Sequence, residues 1–215
     1  MTSAPFERIS PAYPQRAPWG TSALLRAWQS EALERYRSQQ PRDFLAVATP
    51  GAGKTTFALR IAHELLANHI VKRVIVVVPT EHLKTQWADA AARVGIQLDP
   101  TGSGARQGRS RQFDGSVTTY AAVAMRPWHY EALCVNNETL VIFDEIHHAG
   151  DSKSWGDAIG QAFEPAARRL ALTGTPFRSD ENQIPFVRYD VNPDGSRVSH
   201  ADYVYGYADA LRDHV

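Results

Sequence analysis

Five short apolar runs, Phe44 to Ala48, Val74 to Val78, Val117 to Thr119, Leu140 to Phe143 and Arg169 to Leu172, punctuate this chain, with patterns of helical period between them. A run with no polar alternation reads as a strand covered on both faces, and residues 55–67, 81–93 and 155–162 supply helices to cover it. Strands that alternate with helices are joined by right-handed crossovers rather than hairpins. The pattern therefore predicts an α/β fold, a doubly wound and mostly parallel sheet in a single domain. At 215 residues and 43% hydrophobic content the chain has enough apolar surface to bury such a core.

The flanks of this pattern read differently. Residues 1–20 carry Pro5, Pro11, Pro14 and Pro18 without apolar periodicity and predict an irregular arm. Structure is expected from Thr21 or Ser22, followed by Leu24, Leu25, Trp28, Ala32, Leu33 and Tyr36 at helical spacing until Pro41. The stretch Thr101 to Arg111 is rich in Gly and Ser and carries Arg106, Arg109 and Arg111, which makes it a loop able to meet phosphates. Beyond Arg178 the pattern weakens through Pro185, Pro193 and an Asp194-Gly195 turn, and the alternating Tyr203, Tyr205 and Tyr207 suit an edge strand or hairpin. The main domain is thus expected over residues 21–180, with 181–215 as a C-terminal extension.

Some classes of function are excluded at once. The single Cys134 cannot form an intramolecular disulfide or a multi-cysteine zinc site, and it fits a reducing, cytoplasmic setting. No run approaches the roughly 18 consecutive apolar residues of a membrane span, and no basic flank with an apolar core opens the chain. Net charge is zero, but residues 1–111 carry +7 and residues 112–215 carry −7, so one region is biased toward phosphate-bearing partners.

The chemistry concentrates at two strand ends. After the first run, Ala48-Thr49-Pro50-Gly51-Ala52-Gly53-Lys54-Thr55-Thr56 leads into a helix. Gly51 and Gly53 let the backbone wrap an anion with its N–H groups inward, and the helix adds its positive end. Lys54 is placed to reach the β- and γ-phosphates of a nucleotide, and the Thr55 hydroxyl to ligate Mg²⁺. Ala48 stands where such loops commonly begin with glycine. After the fourth run come Asp144 and Glu145: the first suits Mg²⁺ held through water, the second a water that attacks the γ-phosphate. The adjacent His147 and His148 do not converge on a metal with Asp144, so zinc is not expected.

Asp144-Glu145-Ile146-His147 resembles the DExH form of motif II of superfamily 2 helicases and translocases, and Thr49 to Thr55 resembles their motif I. Further segments match in order. Gln29 resembles the upstream glutamine that reads adenine, Val78-Pro79-Thr80 with Leu83, Gln86 and Trp87 resembles motif Ia, and Val117 to Tyr120 resembles motif Ic. Leu172-Thr173-Gly174-Thr175-Pro176 resembles motif III in its TGTP form. The resemblance spans about Leu24 to Arg178, and the DEIH and TGTP forms are similar to those of XPB-like helicases, phage recombination helicases and restriction-enzyme translocation subunits.

What the resemblance implies is an ATP-binding RecA-like P-loop domain, the first of two in a motor that couples ATP hydrolysis to movement on nucleic acid, DNA before RNA. Thr49 to Thr56, Gln29 and Asp144 would bind ATP and Mg²⁺, with Lys54, Glu145 and His147 in catalysis. Thr173, Gly174 and Thr175 would relay the γ-phosphate state, and Pro79, Thr80, Thr119 and Tyr120 would touch nucleic acid. An arginine finger is expected from a second RecA-like domain, in the full-length protein or a partner chain, which leaves Arg178 without that role. A stand-alone ATP-dependent switch acting on a protein partner is the alternative that composition and motifs I and II alone leave open.

Overall fold

The computed structural model describes residues 24–102, 113–150, 153–174, 184–191, 193 and 197–213. Among these are nine strands: β1 Asp43–Ala48, β2 Arg73–Val78, β3 Leu98–Asp99, β4 Gly115–Thr119, β5 Thr139–Phe143, β6 Arg168–Thr173, β7 Arg188–Val191, β8 Arg197–His200 and β9 Tyr203–Tyr205. Seven pair in one sheet in the order β3-β4-β2-β5-β6-β1-β9, every pairing parallel, and β7 with β8 makes a separate antiparallel ribbon.

Each central strand serves two cores. Val74, Val76 and Val78 face α1 (Ala27–Gln39), α2 (Lys54–Ala67) and α3 (Glu81–Arg93); Ile75 and Val77 face α4 (Tyr120–Met125), α5 (Pro127–Asn136) and α6 (Lys153–Phe163). All five β2 residues from Val74 to Val78 are fully buried, which is why the run shows no polar alternation. A last short helix, α7, spans Tyr207–Arg212.

The strand order sets up the site. After β1 the chain places β2 three positions away, and β5 and β6 later fill the two places between. Because all strands run one way, the segments after β1, β2, β5 and β6 emerge side by side on one edge, where ligands of open α/β sheets bind. At the opposite end a buried Arg169 fastens the layers. Its guanidinium donates to both carboxylate oxygens of Asp43 on β1 and to the carbonyls of Phe163 and Glu164 at the end of α6, and lies 4.0 Å over the Phe186 ring.

The architecture matches the expected doubly wound parallel sheet, with differences at the margins. The first helix begins at Ala27, not near Thr21 or Ser22, and Leu24 is 97% exposed, so its place in the apolar spacing is coincidental. Tyr120 opens α4 rather than ending a strand, and Thr119 caps that helix by accepting from the Ala122 amide at 3.1 Å. Residues 121–136, which carry little periodicity, fold as α4 and α5. In the C-terminal extension, β9 is the edge strand expected from the tyrosine alternation, though Tyr207 belongs to α7. The N-terminal arm, the Arg106 to Arg111 loop, Thr175 to Arg178 and the Asp194-Gly195 turn lie outside the described residues.

Candidate nucleotide site

The loop between β1 and α2 has its shape imposed from outside. Gly51 and Gly53 adopt φ of 79° and 90°, a region that other residues avoid. Three consecutive carbonyl oxygens are then taken by the start of α1: Arg26 Nη1 donates to Gly51 O at 3.0 Å, Trp28 Nε1 to Ala52 O at 3.0 Å and Gln29 Nε2 to Gly53 O at 2.9 Å. A peptide whose carbonyl points toward α1 presents its N–H to the other side; the Ala52 N–H is spent on Thr49 O at 3.1 Å, so the clamp leaves the Gly53 and Lys54 amides turned as an anion needs. Gln29, 2% exposed, also accepts the Arg26 backbone N–H at 2.8 Å. A Cβ on Gly53 would sit 2.6 Å from Gln29 Nε2, so a larger residue there, already disfavoured by φ, would also displace the Gln29 amide from its bond to Gly53 O.

Around the loop, Thr49 is 8% exposed and its hydroxyl has no hydrogen-bond partner among the described residues, while its N–H donates to Tyr205 O of β9 at 3.3 Å. Pro50 and Gly51 are exposed, Ala52 is buried, and Lys54, Thr55 and Thr56 are half-buried in the first turn of α2.

The second strand end meets the loop at one carboxylate. Glu145 Oε1 lies 3.1 Å from Lys54 Nζ, and Glu145 Oε2 accepts the Gly174 N–H at 3.0 Å. Lys54 Nζ also donates to Ala48 O at 3.1 Å. Glu145 has a left-handed backbone, φ 50°, unusual for a residue other than glycine and the sort of local strain that a site can hold in place. His147 sits in the 3-10 turn Ile146–Gly150, with Nδ1 3.2 Å from Thr173 Oγ1 and 3.6 Å from Glu145 Oε2. Residues from the β1, β5 and β6 ends are therefore in direct contact.

Asp144 is held differently. Its N–H donates to Val77 O of β2, and its Oδ2 accepts the Trp87 indole N–H at 2.8 Å. Burial pushes its carboxyl above the ordinary range, and the Trp87 hydrogen bond opposes the shift. Thr55 and Asp144 carry a hydroxyl and a carboxylate oxygen, the hard donors that Mg²⁺ prefers, while both Glu145 oxygens are engaged with Lys54 and Gly174; the partnerless buried Thr49 hydroxyl beside the loop fits a polar ligand there.

The remaining expected residues divide. Thr80 is exposed at the N-cap of α3 with its hydroxyl making no cap, and Pro79 is half-buried beside it. Thr119 and Tyr120 are 5% and 1% exposed; the first hydroxyl is spent on the α4 cap and the second donates to Asp144 O at 3.0 Å. Their side chains face inward, so only their backbone could meet a polymer. Nothing local marks Arg26 or Trp28 for the clamp: Trp28 reads as a core residue, and its second role depends on a loop 24 positions away.

Comparisons with known proteins give the family and the fold. The family described as type III restriction enzyme, res subunit, matches residues 22–178. Protein Rv2917 of Mycobacterium tuberculosis is 59% identical over 191 residues, covering 89% of this chain and 32% of its own length, and ML1624 of Mycobacterium leprae is 56% identical over 194 residues, 90% and 33%. Both bear the description uncharacterized protein, and this chain spans about a third of their length. Similar folds include the Pyrococcus furiosus Hef helicase domain (TM-score 0.61, 21% identity, 85% of this chain and 39% of that one) and the Type ISP restriction-modification enzyme LlaBIII bound to DNA (TM-score 0.64, 15% identity, 90% and 16%). The UvsW helicase from bacteriophage T4 is a third, with TM-score 0.57 and 19% identity over 71% of this chain and 53% of that one.

Proposed function

Because this chain belongs to the family described as type III restriction enzyme, res subunit, and is a helicase-like ATP-binding domain, we propose that it is the ATP-hydrolysing half of a DNA helicase or translocase. The observation that carries the reading is the Glu145 carboxylate, which joins Lys54 of the phosphate loop to the Gly174 amide. A contact among three strand ends suits a site that must sense a γ-phosphate and pass its state on.

The chemistry proposed is in-line attack of water on the γ-phosphate of ATP. The amides of Gly51, Gly53 and Lys54 bind the phosphates, and Lys54 neutralises charge on the β- and γ-oxygens. Mg²⁺, when held by Thr55 and, through water, by Asp144, supplies further charge stabilisation of the phosphates. Glu145 orients the attacking water and draws its proton; His147, Thr173 and Gly174 respond to the change at Glu145, with Thr175 beyond the described residues. Gln29 retains a second donor and a second acceptor position beyond its two structural bonds, and those are offered to the adenine edge.

Pro79 and Thr80, at the exposed end of β2, form the proposed contact with nucleic acid, with backbone groups near Thr119 beside them. DNA is favoured over RNA because the similar folds include enzymes described as bound to DNA. A second RecA-like domain, supplying an arginine to the γ-phosphate, is proposed in the full-length protein or a partner; the curated relatives are about three times as long as this chain. The reducing cytoplasm is the proposed setting, and among the described residues no helix is long and apolar enough to cross a membrane.

The test is ATP hydrolysis by the full-length protein with duplex DNA, single-stranded DNA and RNA. DNA should stimulate turnover, and residues 1–215 alone should bind ATP yet hydrolyse it about 10³- to 10⁵-fold more slowly, the usual contribution of an arginine finger. No stimulation by any polymer would overturn the motor reading in favour of an ATP-dependent switch on a protein partner. A full rate from residues 1–215 would overturn the half-site reading.

A further inference from the structure

Asp144 is gripped from both faces of the sheet. Trp87, 2% exposed in the second turn of α3, packs in one core, and its indole N–H reaches Asp144 Oδ2 at 2.8 Å. Tyr120, 1% exposed as the first residue of α4, packs in the other core, and its hydroxyl reaches the Asp144 carbonyl at 3.0 Å. The helices that carry these donors start at Thr80 and Thr119, at the ends of β2 and β4, which are neighbours with Val78 opposite Thr119. A third bond, from Asp144 N to Val77 O, ties the same residue to β2 itself.

The chemistry of these donors is informative. An indole N–H and a phenol fix the direction of a carboxylate and its backbone without adding positive charge. A lysine or arginine in either place would neutralise Asp144 and compete with a divalent cation. Neutral, buried and donor-aligned groups behind a metal-binding carboxylate are what an outer shell requires to orient it. Neither side chain is needed at the surface, so neither can act by touching polymer or nucleotide.

We propose that Trp87 and Tyr120 are positioning residues that make the setting of Asp144 depend on α3 and α4. A strand of nucleic acid held at the starts of these helices and a nucleotide–Mg²⁺ complex held at Asp144 are thereby coupled through two hydrogen bonds. This route is separate from the Glu145–Gly174 and His147–Thr173 contacts. The inference rests on the motor reading above for its nucleic-acid side and on the proposed Mg²⁺ role of Asp144 for its metal side.

The experiment uses the full-length protein and three forms: wild type, Trp87→Phe and Tyr120→Phe. Each substitution keeps a ring in the core and removes one donor. Calorimetry gives the affinity for a non-hydrolysable ATP analogue with Mg²⁺ and with EDTA, and fluorescence anisotropy gives the affinity for a labelled DNA duplex with and without the Mg²⁺ analogue complex. Trp87→Phe should weaken the Mg²⁺-dependent part of nucleotide binding by about 10- to 100-fold, the range for outer-shell partners of a metal ligand. Its affinity in EDTA and its affinity for duplex alone should be unchanged.

Wild type should show a nucleotide–DNA coupling factor of about 5- to 150-fold, equal when measured in either direction, and both variants should bring it toward one. A merely structural role would move thermal stability and leave the Mg²⁺ dependence and the coupling factor alone. Variants that keep the wild-type Mg²⁺ dependence and coupling overturn the proposal. If Trp87→Phe does not fold, Tyr120→Phe decides the coupling by the same measurement. A wild type without any coupling to duplex overturns the motor reading and the nucleic-acid side of this inference together, and the Mg²⁺ arm then decides whether Trp87 positions Asp144.

Discussion

Replacing Gln29 by alanine removes one side chain that does two things at once. The amide is 2% exposed and makes two hydrogen bonds, from Arg26 N at 2.8 Å and to Gly53 O at 2.9 Å. At about 0.5–1.5 kcal/mol net for each bond, the loss is about 1–3 kcal/mol; Arg26 is exposed and water can replace its partner, so about 2 kcal/mol is the working figure. For a chain of this size that corresponds to a fall in Tm of about 4–8 °C. Gly53 O is one of three carbonyls turned toward α1 and keeps only the Phe57 N–H at 3.2 Å once Gln29 is gone, so the loop loosens and affinity for any nucleoside triphosphate should fall. If the spare donor and acceptor also read adenine, ATP should lose more than GTP. Thermal denaturation gives the first quantity and calorimetric titration with each nucleotide the second. Gln29→Glu sharpens the test: it keeps an acceptor for Arg26 N but turns an oxygen on Gly53 O, and should be at least as destabilising. An unchanged Tm in Gln29→Ala would refute the clamp, and equal losses for ATP and GTP would refute the base reading.

Other outcomes follow from contacts already given. Lys54→Ala should weaken ATP binding by roughly ten- to over a hundredfold in calorimetry with the fold intact, since one charge-assisted contact of about 1.5–3 kcal/mol is lost; unchanged affinity would refute the phosphate-loop assignment. Glu145→Gln should abolish turnover in the full-length protein while a binding titration still shows ATP bound. Arg169→Met, at a side chain 4% exposed, strips Asp43 and two α6 carbonyls of their donor; chemical denaturation should show a loss of about 3 kcal/mol, the lower end for breaking a buried pair because Asp43 is 39% exposed. Burial pushes the Cys134 thiol up to about 11, with the Thr139 hydrogen bond opposing. A maleimide at pH 8 should therefore label it only after denaturation. A raised pKa favours the fold below the ordinary thiol range and loses that contribution as pH rises through about 11, so Cys134→Ala should flatten the alkaline limb of a stability–pH curve.

How much could be read in advance depended on whether the signal was local. The central strands were legible because both faces are buried, leaving uninterrupted runs such as Val74 to Val78 that allow no other reading. The turn between β1 and α2 was legible because Gly51 and Gly53 serve backbone conformations written into one short stretch. Leu24 misled because an exposed leucine at the right spacing looks like a core one. β3 has two residues, too few for any period, and the Tyr120 to Asn136 region mixes alanines with a Pro127 start that carries no clear face. The inward turn of Thr119 and Tyr120 was invisible for another reason: a strand-ending threonine gives no sign that its hydroxyl will cap the next helix. Trp87 and Asp144 are 57 positions apart, and only the pairing of β2 with β5 brings them together. Long-range polar contacts of this kind depend on strand order, which periodicity does not contain.

The edge strand β9 has a consequence for where the chain can be cut. It covers the outer side of β1 from Ala46 to Ala48, and its last carbonyl, Tyr205 O, receives the Thr49 N–H at the mouth of the phosphate loop. Without it, the strand that carries the loop would itself become the margin of the sheet, with a row of unpaired amides and carbonyls along apolar residues. Such a margin invites pairing with another molecule. A shortened protein ending before Ala201 should therefore self-associate, and do so beside the phosphate loop, so that loss of nucleotide binding in such a fragment would report clumping at that margin and not a missing ligand contact.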